Sequence, residues 1–190
     1  LYPHRVLRSV RRFMTGKSSR LFEYQGTLFC GHDSGTFVIE NAFAKSIFLQ
    51  SGTWKFERVP YQENLLLQGN YYGVSVLEKV NNQWVFKNKI KGFDYSSRYF
   101  AVTNDLDVYV SHENQGVFRF QVDSKLRKAS PFRAYSSPKK GKNASLIQFN
   151  NSIYYAYKEG IFKLNPKTKQ FEKDNLLSSV FEKDEYTSGK

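Results

Sequence analysis

Val108-Tyr109-Val110-Ser111-His112-Glu113-Asn114-Gln115-Gly116-Val117-Phe118-Arg119-Phe120 is the stretch that decides the fold. Apolar residues lead through a short polar turn to a glycine, and the chain resumes as an alternating run. Alternation at period two is strand patterning. A glycine beside a tight turn supplies positive φ at the least steric cost, so the stretch reads as a β-hairpin. The same plan returns in residues 28–39 around Gly35, 65–77 around Gly73 and 153–164 around Gly160. The four anchor glycines are spaced by 38, 43 and 44 residues. A period of about 40 to 50 is that of β-propeller blades. Helical repeats of similar length do not fit, because Ile161, Phe162, Lys163 and Leu164 lack 3.6-residue apolar spacing.

Apolar stretches on either side of each hairpin supply inner strands at 20–24, 53–59, 98–103 and 144–149. Outer strands are expected at 46–49, 84–87, 129–132 and 170–172. Turn residues fill the gaps at Ser51-Gly52, Asn81-Asn82, Asn104-Asp105, Asn150-Asn151 and Asn165-Pro166-Lys167. The fold class is therefore all-β, a propeller segment of about four four-stranded antiparallel blades at 20–50, 53–88, 96–133 and 143–174. Four blades rarely close a ring alone and an open fragment leaves sheet edges exposed, so a larger propeller is expected. Residues 1–19 are a basic N-terminal segment or the remnant of a preceding blade. Val6, Leu7, Val10, Phe13 and Met14 fit a short amphipathic helix over 4–14 and outer strands equally well. Residues 175–190 read as the start of a next blade, through Leu176, Leu177, Val180 and Phe181, or as a frayed tail.

Composition agrees. With 40% hydrophobic and 24% charged residues the chain is that of a folded protein, and 17 Phe and 13 Tyr suit half-buried sheet surfaces. The single cysteine, Cys30, leaves no internal disulfide and no cysteine-based zinc site. No run approaches the roughly 18 apolar residues that span a bilayer, so no membrane insertion by this segment is expected. The net charge of +12 raises nucleic-acid binding. Basic residues concentrate only at Arg5, Arg8, Arg11 and Arg12 and at Lys139, Lys140 and Lys142. The rest are scattered as they are on soluble sheet edges, so no specific nucleic-acid contact is expected.

The repeat resembles the two-component regulator propeller repeats of Bacteroidetes sensor proteins. The match is best over Val108 to Phe120, extends over roughly residues 20 to 174, and departs from the family at the Trp-Ile-Gly-Thr step, replaced here by Phe29-Cys30-Gly31-His32 and Tyr109-Val110-Ser111-His112. Parent proteins of that class are hybrid histidine-kinase sensors or triple-tyrosine regulators ending in a LuxR-type helix-turn-helix. The resemblance implies a periplasmic or otherwise extracytoplasmic sensing segment that responds to an oligosaccharide or small molecule. Its partners would be the remaining blades and an output domain of the parent, with a homodimer among the assemblies it admits. No cofactor is implied.

In a propeller the hairpin turns and the connections between blades share one face, where binding residues gather. That face nominates Asn70, Tyr71, Tyr72, His112 and Glu113 from the turns, and Tyr95 and Arg98 from the inter-blade segment. His32, Asp33, Asn114, Lys158 and Glu159 occupy matching turns. Tyrosines beside amides and carboxylates suit stacking on sugars, though each residue taken alone also reads as an ordinary turn former. His32 and His112 are not expected to share a metal, since their blades are separated by a third; each imidazole is expected to hydrogen-bond a neighbouring turn or strand and stitch blade to blade. No catalytic residue is assigned: there is no Gly-x-Ser-x-Gly elbow, no His-Glu-x-x-His and no phosphate-cradling loop. A non-enzymatic role is expected; a polysaccharide-active propeller hydrolase or lyase and a protein-interaction scaffold are the alternatives.

Overall fold

The computed structural model describes residues 20–41, 43–49, 52–138 and 143–179. The readings made above for residues 1–19, for Ser51, for Lys139, Lys140 and Lys142, and for 180–190 lie outside the described residues.

Four antiparallel sheets of four strands follow one another along the chain. Blade 1 holds β1 (Arg20–Tyr24), β2 (Thr27–His32), β3 (Gly35–Glu40) and β4 (Phe43–Phe48), and blade 2 holds β5 (Thr53–Arg58), β6 (Leu65–Asn70), β7 (Gly73–Val80) and β8 (Gln83–Lys89). Blade 3 consists of β9 (Tyr99–Val102), β10 (Asp107–His112), β11 (Gly116–Gln121) and β12 (Arg133–Ala134), and blade 4 of β13 (Ser145–Phe149), β14 (Ser152–Tyr157), β15 (Gly160–Leu164) and β16 (Phe171–Lys173). Within each blade the spatial order is the sequence order. The arrangement is a four-bladed β-propeller unit, the all-β class that the glycine-anchored hairpins predict.

Strand periodicity explains how blades stack, because successive side chains of a strand leave on opposite faces. From β6, Leu65 and Leu67 enter the cluster with Phe100, Val108 and Val110 of blade 3, whereas Leu66 enters the cluster with Phe29 of blade 1 and Phe56 and Trp84 of blade 2. A third cluster joins Tyr99, Ala101 and Tyr109 of blade 3 to Leu146, Ile153 and Tyr155 of blade 4. Each core thus lies between two blades. Blade 2 is buried on both faces, which is why Leu65–Asn70 is buried throughout.

Polar side chains also bind blade 1 to blade 2. Thr36 Oγ donates to Gln68 Oε1 at 2.7 Å and shares a hydrogen bond of 2.8 Å with Thr53 Oγ, and Asn70 Nδ2 donates to Thr53 Oγ at 3.1 Å. A hydroxyl has one proton to give, so the chain runs Asn70 to Thr53 to Thr36 to Gln68.

The asparagine turns behave as their chemistry predicts: Asn81, Asn82, Asn150 and Asn151 all have positive φ, as two-residue hairpin loops require. One outer strand is misplaced by the sequence. Residues 129–132 do not form the edge of blade 3; Arg133–Ala134 does. Ala129 makes only an isolated antiparallel bridge to Val122, and its N–H goes back to the Lys91 carbonyl at 2.8 Å. Pro131 has no N–H to continue a ladder there. The strand expected at 46–49 begins earlier, at Phe43. Of the C-terminal residues, Asn175–Ser179 form a short helix, α1. Asp174 caps it, accepting from the Leu177 N–H at 3.0 Å, and Ser178 Oγ bonds both the N–H and the C=O of Ile161.

Candidate functional site

The chain lays the connection between β8 and β9 across the turn of the β6–β7 hairpin. Gly73 N–H donates to the Tyr95 carbonyl at 3.0 Å and Ser97 N–H to the Asn70 carbonyl at 2.9 Å. Ser97 Oγ closes the bend by donating to the Tyr95 carbonyl at 3.1 Å. This close approach needs glycine at both contact points: a Cβ at Gly69 would collide with the Ser97 carbonyl, and one at Gly73 with the Phe93 carbonyl. The hairpin therefore serves as a bed that fixes the residue following Ser97.

That residue, Arg98, borders a groove of about 270 Å³ between blades 2 and 3, lined by Trp54, Tyr71, Ser96, Arg98, Tyr99, Ser111, His112, Glu113 and Asn114. The Arg98 guanidinium lies 4.8 Å from the Trp54 ring and 5.4 Å from the Tyr99 ring. Arg98 Nε and Trp54 Nε1 are both sealed from solvent with no hydrogen-bond acceptor. Tyr71 meets Trp54 edge-on at 5.1 Å and 87°. Burial raises the Tyr71 phenol pKa, the Asp33 carboxylate adds to the rise, and the Arg98 charge opposes it.

His112 sits on the opposite wall. Its Nδ1 accepts from the Asn114 N–H at 3.2 Å, so the neutral ring carries its proton on Nε2. Burial lowers its pKa, partly offset by Glu113. Tyr95 and the imidazole meet at right angles, 5.9 Å apart, and Tyr95 in turn packs tilted against Phe118 at 4.7 Å.

The fold brings four of the seven nominated residues to one groove: Tyr71, Arg98, His112 and Glu113. Tyr95 lies behind them, supporting His112 rather than lining the groove. Asn70 is 4% exposed and its amide nitrogen donates to Thr53 and to the Gly52 carbonyl, bracing the seam between blades 1 and 2, while its buried Oδ1 accepts no hydrogen bond among the described residues. Tyr72 shares the two-residue turn with Tyr71 but is 66% exposed and does not line the groove. His32 and His112 do occupy matching places, but each ring accepts from a backbone N–H two residues on, at Ser34 and Asn114. They lock their own hairpins; through these bonds they do not stitch one blade to another. Among the described residues no group of three His, Cys, Asp or Glu is arranged to hold a metal.

Trp54 and Tyr99 were missed because both belong to inner strands, where an aromatic reads as core. Trp54 escapes the strand rule through a β-bulge: Thr53 pairs Asn70 and Lys55 pairs Gly69, which leaves Trp54 outside the ladder. No parity count reveals that. The available signal was rarity, Trp54 being one of two tryptophans in the chain.

No family model matches the chain. No curated protein matches it either. Solved structures do. The extracellular domain of BT4673 from B. thetaiotaomicron, described in one structure as a one-component and in another as a hybrid two-component system, superposes with TM-scores of 0.62 and 0.61 at 14% and 16% identity. These alignments cover 84% and 82% of this chain and 22% and 21% of those chains, so the chain spans about a fifth of their length. The WD40 propeller domain of Doa1 gives a TM-score of 0.55 at 14% identity over 80% of this chain and 51% of that one. At such identities the likeness is one of fold. No helix of the described residues is long and apolar enough to cross a membrane. In fold, the chain is similar to the extracellular domain of a one- or two-component system of B. thetaiotaomicron, and its hairpin repeat resembles the regulator propeller repeats of Bacteroidetes.

Proposed function

We propose that this chain is a non-catalytic, ligand-sensing propeller segment of an extracytoplasmic two-component-type sensor or transcriptional regulator. The observation that carries this reading is the groove between blades 2 and 3. Three aromatic side chains, Trp54, Tyr71 and Tyr99, converge there with a cation, an imidazole, a carboxylate and hydroxyls. A mainly aromatic concavity with a few placed polar groups is what a ring-shaped polar ligand such as a glycan requires. The likeness to extracellular sensor-system domains supports the setting.

The groove straddles a seam, with Trp54 and Tyr71 on one wall and His112 to Asn114 on the other. A ligand touching both walls favours one packing of blade 2 on blade 3, and that differential contact is the means of shifting a conformational equilibrium. The response would pass to further blades and an output domain of a longer parent, or to a second copy. Blade 4 offers a surface for such a neighbour, Ile147 and Phe149 being 45% and 64% exposed.

The test is a thermal-shift and calorimetric screen of the 190-residue chain against neutral and acidic oligosaccharides. Saturable binding lost in Trp54→Ala supports the reading. Release of new reducing ends or unsaturated products during incubation would replace sensing with catalysis, and absence of binding across the whole screen would remove the ligand role.

A further inference from the structure

We infer that the ligand of this groove carries an oxyanion, the carboxylate of an acidic sugar, and that Arg98 is the residue that reads it. The inference rests on the ligand-binding reading of the same groove and adds the charge class.

An arginine offers five N–H donors in a planar fork. Arg98 uses none of them on a described acceptor: its Nε is unpartnered, and its contacts among the described residues are with aromatic rings. What holds it is the Trp54 and Tyr99 rings, which fix the position of the guanidinium without consuming its donors. The backbone adds to this: Ser97 is anchored to Asn70 on one side of the bend and to Tyr95 on the other. The result is a preorganised cation with its fork unspent.

The Nε edge is sealed and unpartnered, as is the adjacent Trp54 Nε1. A buried donor without an acceptor is costly, so the wall carries two uncompensated N–H dipoles beside a full positive charge. A carboxylate at the terminal nitrogens of Arg98 meets that field in the bidentate geometry that guanidinium favours.

The other polar groups lining the groove set the rest of the ligand. Glu113 is exposed on the rim of the groove. His112, held neutral by burial, adds its Nε2 proton as a donor. A ring with one carboxylate and several hydroxyls meets the Arg98 fork and the His112 donor together, and a neutral sugar leaves Arg98 unanswered.

The experiment is calorimetric titration of the full chain with trigalacturonate and with its fully methyl-esterified form, which keeps the ring and removes the charge. A panel of neutral cello-, xylo- and manno-oligosaccharides runs alongside. Because the chain carries +12, Lys158→Gln controls for nonspecific attraction, since Lys158 lies in the blade 4 turn outside the groove. The expected result is acid binding at least about tenfold tighter than the ester. Arg98→Gln should erase that preference and Lys158→Gln should leave it. Equal binding of acid and ester, or a preference that survives Arg98→Gln, overturns the inference while the glycan reading stands. So does binding confined to the neutral panel. Failure of every sugar to bind overturns both.

Discussion

Arg98 and Arg119 stand on either side of blade 3 and are held in opposite ways. Arg119 on β11 donates twice to Asp107, Nε to Oδ1 and Nη2 to Oδ2, both at 3.1 Å. Asp107 is only 3% exposed in its side chain, and Lys169 reaches it from blade 4 at 3.2 Å. The same lysine accepts the Tyr135 hydroxyl on its carbonyl at 2.5 Å, so blade 4 is tied to blade 3 through both ends of one residue. Asp107 overcomes the effect of burial on Arg119 and raises its pKa. There every charge has its partner. Arg98 is packed between rings and has no such partner. The groove at the far end of the Lys169 seam is larger, about 370 Å³, yet its Lys169 is already engaged by Asp105 and Asp107. The comparison separates a cation that holds the molecule together from one left available to something else, and it shows that cavity size is the poorer guide.

The largest effect should come from the saturated side. Asp107→Ala leaves Arg119 and Lys169 facing one another without a carboxylate and should cost about 3 kcal/mol in chemical denaturation, since removing one partner of a buried pair strands the others. A loss well under 1 kcal/mol would place the cluster among surface pairs and dissolve the contrast.

Gly69→Ala comes next. Its Cβ meets the Ser97 carbonyl, a backbone atom that cannot step aside, so a loss of about 1–3 kcal/mol is expected, with weaker ligand binding because Arg98 shifts with Ser97. Denaturation and titration on one preparation would show whether the two losses travel together, and unchanged binding would mean that the bend does not place Arg98.

Arg98→Met should change stability by less than about 1 kcal/mol, the scale of a partly exposed cation–π contact. A larger drop in unfolding midpoint would mean that this arginine, too, is structural.

The smallest effect concerns His112. Its folded pKa lies below the free value, so the fold favours the neutral ring. The stability this contributes is whole above about pH 6.5 and is lost as pH falls from there through the lowered folded value. The unfolding midpoint of the native chain should therefore fall slightly more between pH 8 and pH 5 than that of His112→Gln. Identical profiles would show that the hydrogen bond from Asn114 does not depend on the ring staying neutral.

Much of this molecule was legible beforehand for a local reason. A two-residue turn, a glycine with positive φ and an alternating strand are each specified within about a dozen residues. Four copies of such local information gave the hairpins at Gly35, Gly73, Gly116 and Gly160, and with them the face on which Tyr71, Arg98, His112 and Glu113 lie. Misreadings arose where a distant backbone intervened. Residues 129–132 looked like an edge strand, but the pairing there stops at one bridge from Ala129 to Val122, and the Ala129 N–H goes to Lys91 before the third blade. Asn70 read as a turn residue facing the site, but Gly52 and Thr53 across the seam take its amide N–H groups and bury it.

The sequence by itself determined the hairpins, their spacing and the class of fold, because those follow from alternation and turn chemistry between near neighbours. Only the tertiary structure decided which side chains share a groove. The bulge at Trp54, the packing of Arg98 between two rings and the capture of Lys169 by blade 3 each join segments from different elements. Whether a polar group is spent or left free depends on what lies across a seam, and no run of residues along the chain records that.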